Sequence, residues 1–181
     1  VHPTFRMAVH VRDLTWRENE TVYVAIDPGI AGPEGGGSSY AIEASHFSRE
    51  RSLQIQVFDE IHESGKFEEQ IIQDILMKRP WWGKCPVVGV IDRAGKARAG
   101  GHVPSIEVYR KIAKLGLLYT EEAIPIPDQI RRFDSFLHVN SLTQEPGIVF
   151  APLCDGVLSE LGGMMNRKVD PPQLRAYQWE M

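Results

Sequence analysis

Two short apolar runs in this sequence end on an aspartate, and each is followed by a break in the backbone. "VYVAID" stops at Asp27, just before Pro28-Gly29; "PVVGVID" stops at Asp92, three residues before Gly95. Runs this short and this rich in β-branched residues read as strands buried in a sheet. A chain holding two of them is constrained twice. Both runs must lie inside a sheet, and each delivers a carboxylate to the end of its strand. In open sheets, sites form beyond the carboxyl ends of the strands. If these two strands are parallel neighbours, both carboxylates project into one crevice.

The rest of the chain supplies the sheet and its covers. "SYAIEASHF" (Ser39 to Phe47) and "LQIQVFDEI" (Leu53 to Ile61) read as two further strands, joined by the polar turn "SRERS". With "TVYVAID" before them, they predict an antiparallel meander. In "KFEEQIIQDILMKR", Phe67, Ile71, Ile72, Ile75 and Leu76 share a helical face. Glu68 and Glu69 open that helix, Lys78 and Arg79 close it, and Pro80 stops it. "SIEVYRKIAKLG" (Ser105 to Gly116) is a helix ended by glycine, "LLYTEEA" a short strand, and "PDQIRRFDSFLHV" (Pro127 to Val139) a helix with Ile130, Phe133 and Leu137 inward. "GIVFAP" is a brief strand. "LCDGVLSELGGMM" is a last helix with Leu153, Val157, Leu158 and Leu161 on its core face. The order β-β-β-α-β-α-β-α-β-α predicts an α/β fold: a mixed sheet, antiparallel meander then parallel strands, with helices on both faces and right-handed crossovers.

Two carboxylates in one crevice repel, so one keeps its proton unless a cation is present. A divalent ion with oxygen ligands and retained water, such as Mg²⁺, resolves the conflict. Two such ions ~3.5–4 Å apart activate a water and stabilise the leaving oxygen of a phosphodiester. Either aspartate alone reads equally well as a turn former or helix cap; the pair, strand-ending in this order, favours the metal reading. The tract from Pro28 to Ser38 is longer than an ordinary hairpin loop. Its glycines allow backbone N–H contacts to phosphate and fit a disordered tip equally well, and its Glu34 reads as a solvated loop residue rather than a ligand.

With 181 residues, the chain is one domain, or one domain with extra arms. Its net charge of −4 excludes a uniformly basic nucleic-acid binder but not a local patch. Arg93, Lys96 and Arg98 lie just past Asp92 and are candidate DNA contacts, as is Arg131 of the Arg131-Arg132 pair; all bind phosphate without reading sequence. Arg110, Lys111 and Lys114 read as a solvated helix face, and Arg167 and Lys168 form a further basic pair. Trp81 and Trp82 read as core packing before base stacking. Cys85 and Cys154 suit reduced thiols, since no CxxC or His/Cys cluster is present. His46 and His62 follow no zinc spacing, no GxSxG occurs, and no apolar run approaches the ~20 residues of a membrane span.

In this order and spacing, "VYVAIDPG", "VVGVIDRAG", "IPDQIRRFDSFL" and "IVFAPLCDGVLSELGG" resemble the C-terminal nuclease domain of phage terminase large subunits, from about Val22 to Trp179. The resemblance implies an RNase H-like (RuvC-like) fold and a metal-dependent endonuclease that cuts double-stranded, concatemeric DNA with little sequence preference. It implies that Asp27 and Asp92 are the catalytic aspartates of the first and fourth strands, holding two Mg²⁺ or Mn²⁺ ions. The family's third aspartate, in a pattern like "DHAxDALRY", has no counterpart here, and Asp155 and Glu160 are poor substitutes. The expectation is therefore a nuclease domain over residues 21–181, truncated at its C-terminal part, with 1–20 as the linker arm from a packaging ATPase. No GxxxxGK[ST] loop marks that ATPase in this chain. The resemblance also implies a portal protein and a terminase small subunit as partners, no membrane, and the host cytoplasm as location. Two alternatives stay open: a RuvC-type Holliday junction resolvase, whose first motif also begins "IDPG", and a non-catalytic DNA- or portal-docking module. A sugar-kinase-type phosphotransferase needs two such domains.

Overall fold

The structure is a computed structural model and describes residues 4–29, 40–50, 54–96, 103–119 and 124–165. After a short helical turn α1 (Met7–His10), the chain forms the meander β1 (Val22–Asp27), β2 (Tyr40–Phe47) and β3 (Ile55–Glu63). A helical segment follows. It starts as α2 (Glu68–Gln70), widens to a π turn over Ile71–Ile75 and tightens over Leu76–Lys78. Then come β4 (Val87–Ile91), a 3₁₀ turn at Arg93–Lys96, α3 (Ser105–Ile112), β5 (Leu117–Leu118), α4 (Ile126–Leu137), β6 (Ile148–Phe150) and α5 (Asp155–Met165). The six strands form one sheet in the order β5-β4-β1-β2-β3-β6. β1 pairs antiparallel with β2 and β2 with β3, whereas β1–β4, β4–β5 and β3–β6 are parallel. This is the mixed α/β sheet that the element order predicts.

Alternation decides what each face carries. On β1, Val22, Val24 and Ile26 are buried on the first face, while Tyr23, Ala25 and Asp27 point to the second. β2 continues the pattern with Tyr40, Ile42, Ala44 and His46 buried. Ile71, Ile72 and Leu76 of the second helical segment cover the first face together with Val108 and Tyr109 of α3. A separate cluster joins Phe5, Leu137 of α4, Ile148 and Phe150 of β6, and Leu158 and Leu161 of α5. A β-bulge opposite Ala44 and Ser45 leaves Phe58 as the extra residue. Val57 therefore packs into the second cluster and Phe58 into the first.

Three side chains expected inward are exposed. Phe67 (66% exposed) stands just before α2 with an extended backbone, off the helical face. Leu153 (56%) precedes the first turn of α5, so the helical period does not reach it. Ile130 (44%) lies beyond the part of α4 that touches the core, where Leu137 is buried and Phe133 partly so. Trp81 is buried as expected, and its indole N–H donates to Asp59 at 2.7 Å. Cys85 and Cys154 are buried free thiols. Among the described residues, no helix is long and apolar enough to cross a membrane.

Candidate active site

The parallel register of β1 and β4 aligns Ile26 with Ile91, so Asp27 and Asp92 follow at matching positions on adjacent strands. The Asp92 amide donates to the Ile26 carbonyl at 3.0 Å, which carries the ladder to the residue where the carboxylates emerge. Pro28 then keeps Asp27 extended, because a residue before proline is pushed out of helical geometry. The two acids lie side by side at the carboxyl end of the sheet. They line a hollow of about 420 Å³ with Ala25, Glu43, Val90, Leu118 and Tyr119.

The electrostatics of the hollow are those of crowded like charges. Burial raises the Asp27 carboxyl above its usual range, and the neighbouring Asp92 raises it further. Glu43 is the acid that sequence reasoning missed. It projects from β2 on the same face, with Ala25 opposite it on β1 and Glu60 opposite it on β3. Burial, then the charges of Glu60, Asp27 and Glu160, push Glu43 up to about 7. In the sequence it is one polar position in an alternating strand, and only the register of three strands reveals its company. Among the described residues, no three His, Cys, Asp or Glu side chains converge as a ready-made metal cluster. The side-chain donors at the hollow are nonetheless all oxygen, the carboxylates of Asp27, Glu43 and Asp92 with the Tyr119 phenol, the chemistry that hard divalent cations prefer.

The expected basic contacts divide. Arg93 is exposed in the turn directly after Asp92. Lys96 ends that turn, and Arg98 lies outside the described residues, as do Glu34, Arg167 and Lys168. Arg131 is not brought to the hollow; it pairs with Asp128 one turn earlier on α4. His46 is buried, donating from Nδ1 to the Thr21 carbonyl and accepting the Arg17 amide at Nε2. His62 lines a second hollow of about 590 Å³ with Glu60, Arg79 and Ser159. Asp155 and Glu160, the poor substitutes on the last helix, also line that second hollow rather than the first.

This arrangement of sheet and helices has solved counterparts. The large terminase of a thermophilic bacteriophage aligns with a TM-score of 0.60 and 15% identity, over 88% of this chain and 35% of that one. The P22 large terminase nuclease domain aligns with a TM-score of 0.57 and 12% identity, over 89% and 77%. The likeness establishes the fold. It is the architecture of terminase nuclease domains. The chain spans about a third of the thermophilic phage protein it matches. A third structure, the SPP1 large terminase nuclease domain with bound Mn, aligns with a TM-score of 0.47 and 13% identity, over 84% and 75%. No protein-family model matches the sequence, and no curated protein does.

Proposed function

We propose that this chain is the nuclease domain of a viral DNA-packaging terminase, a metal-dependent endonuclease that hydrolyses phosphodiester bonds of double-stranded concatemeric DNA with little sequence preference. The observation that carries the reading is the pairing of Asp27 and Asp92 at the ends of parallel β1 and β4. The fold of terminase nuclease domains supports it. Asp27 and Asp92 would hold Mg²⁺ or Mn²⁺, in the two-ion form if a third acid joins them. When bound, such ions supply an activated water and neutralise charge on the leaving oxygen. The two aspartates orient that chemistry toward the open side of the hollow, where Val90 and Leu118 are exposed. In this reading Arg93, exposed in the turn after Asp92, would contact a backbone phosphate, with Lys96, Arg98 and Arg131 as further, sequence-independent contacts. Portal protein, terminase small subunit and the host cytoplasm belong to the same reading.

The second reading, a non-catalytic docking module, draws on the absence of a converged three-acid cluster among the described residues. Plasmid nicking with Mn²⁺ decides between them. We expect cleavage by the parent chain and a loss of more than about 100-fold in Asp27→Ala and in Asp92→Ala, the scale of losing one group that stabilises a transition state. Full activity in both variants overturns the assignment. Preference for four-way junctions over linear duplex would turn it to the resolvase alternative.

A further inference from the structure

Glu43 is the carboxylate that the nuclease reading leaves unused. It stands directly across from Glu60 on the sheet face, and like charges so placed destabilise a sheet. Glu60 is matched elsewhere. Its two oxygens accept the Gly156 and Val157 amides at 2.7 and 2.8 Å, the otherwise unpaired donors of the first turn of α5. Glu43 instead lines the hollow with Asp27 and Asp92. The charges that act on it, Glu60, Asp27 and Glu160, are all negative.

We propose that Glu43 is a positioning residue of the Asp27–Asp92 site, its carboxylate accepting hydrogen bonds from water carried by the cation those aspartates hold. The inference rests on the nuclease reading of the two aspartates. Asp27 lies two residues beyond Ala25, the cross-strand partner of Glu43. The two acids are therefore diagonal neighbours, a relation of ~7–8 Å between backbones that a long side chain spans. Such spacing suits a water between carboxylate and ion better than a direct bond of ~2 Å. The lack of a converged three-acid cluster among the described residues agrees with that. Ala25 and Ala41, flanking Glu43 and Asp27 on this face, add only methyl groups and leave room for the water.

The test is Mn²⁺ binding to the 181-residue chain, read from the spin-resonance signal of the free ion, together with melting in EDTA. Parent, Asp27→Asn, Glu43→Gln and Glu43→Asp are compared. We expect Asp27→Asn to abolish binding. Glu43→Gln should weaken it by about 10–100-fold, the range for groups that orient a metal's ligands, with Glu43→Asp in between. In EDTA, Glu43→Gln should melt at or above the parent temperature, because a repelling charge is gone. Affinity within twofold of the parent in Glu43→Gln, with binding lost in Asp27→Asn, removes Glu43 from the site and leaves the nuclease reading standing. A Glu43→Gln that melts below the parent in EDTA makes the residue structural and overturns the proposal. If the parent does not bind Mn²⁺, or Asp27→Asn binds it undiminished, the proposal and the metal reading fall together.

Discussion

Ile42 and Glu43 are consecutive residues of β2, and they stand for the two faces of the sheet. On the first face, the buried polar groups are matched by the chain itself. His46 sits between Thr21 and Arg17. Asp59 takes the Trp81 indole and the Glu60 amide. The Tyr40 hydroxyl lies 2.7 Å from Glu68 and 2.8 Å from the Tyr109 hydroxyl, a buried chain of oxygens in which burial raises both phenols. On the second face, Asp27, Glu43 and Asp92 share a hollow, where Asp92 adds to the burial that raises the Asp27 carboxyl and Asp27 adds to the burial that raises Glu43. A fold seeking only stability would not gather them. Polar groups on the first face serve the core, whereas three acids of the second gather at the hollow on which the proposed function rests.

The sharpest way to break this contrast is to truncate the core neighbour. Ile42 is only 1% exposed and packs among Val24, Phe58 and Ile61 of the first cluster. Ile42→Ala should lose about 2–5 kcal/mol in denaturant unfolding, from lost transfer energy plus the cavity left behind. The adjacent Glu43→Gln, under the same metal-free conditions, should lose nothing. A loss below about 1 kcal/mol for Ile42→Ala would mean that the first face is not the core.

The next expected effect is at the junction of β3 and α5. Gly156 approaches β3 so closely that a β-carbon there would overlap the His62 ring and lie 2.7 Å from a Glu60 oxygen. Gly156→Ala must move the helix or displace Glu60 from the amides it accepts. We expect a loss of about 2–3 kcal/mol, the scale of charge-assisted hydrogen bonds and of overpacking, with Glu60→Gln losing less. If Gly156→Ala is neutral, the capping geometry does not matter to the second face.

The alternation "VYVAID" and the aspartate at its end were legible because both are local: period two assigns the faces, and a strand's end is visible as a composition break. The same holds for "PVVGVID", so the pair that carries the proposed chemistry came from sequence. Glu43 was not legible, because "YAIEASHF" places a glutamate where any half-solvated strand would. Its meaning depends on which residues of β1 and β3 stand opposite, a register that no local pattern contains. The exposed Ile130 fails for a related reason: periodicity marks an apolar stripe but not how far along the helix a neighbour extends. The bulge at Phe58 was likewise hidden, since three successive buried residues, Val57, Phe58 and Asp59, break the alternation that a sequence reading relies on.

The smallest effect we predict is the most specific to the contrast between faces. Glu43 on one face and His46 on the other are held away from their ordinary titration in opposite senses. Burial, then Glu60, Asp27 and Glu160, push Glu43 up to about 7 from an ordinary 4.5. Between those values the native state binds more protons than the unfolded chain, so this contribution makes stability fall as pH rises, with the full penalty above about 7. Burial lowers His46 from 6.5, so the native state binds fewer protons there, and its contribution is lost as pH falls below that value. The two slopes oppose each other in the parent. Glu43→Gln removes only the first. Its stability relative to the parent, measured by urea unfolding in EDTA, should start near zero at about pH 4.5, grow with pH and level off above about 7. The plateau should be about 1 kcal/mol once partial exposure is allowed for. A difference that stays flat across this range would mean that Glu43 ionises like a solvated glutamate, and that the second face holds its acids without strain.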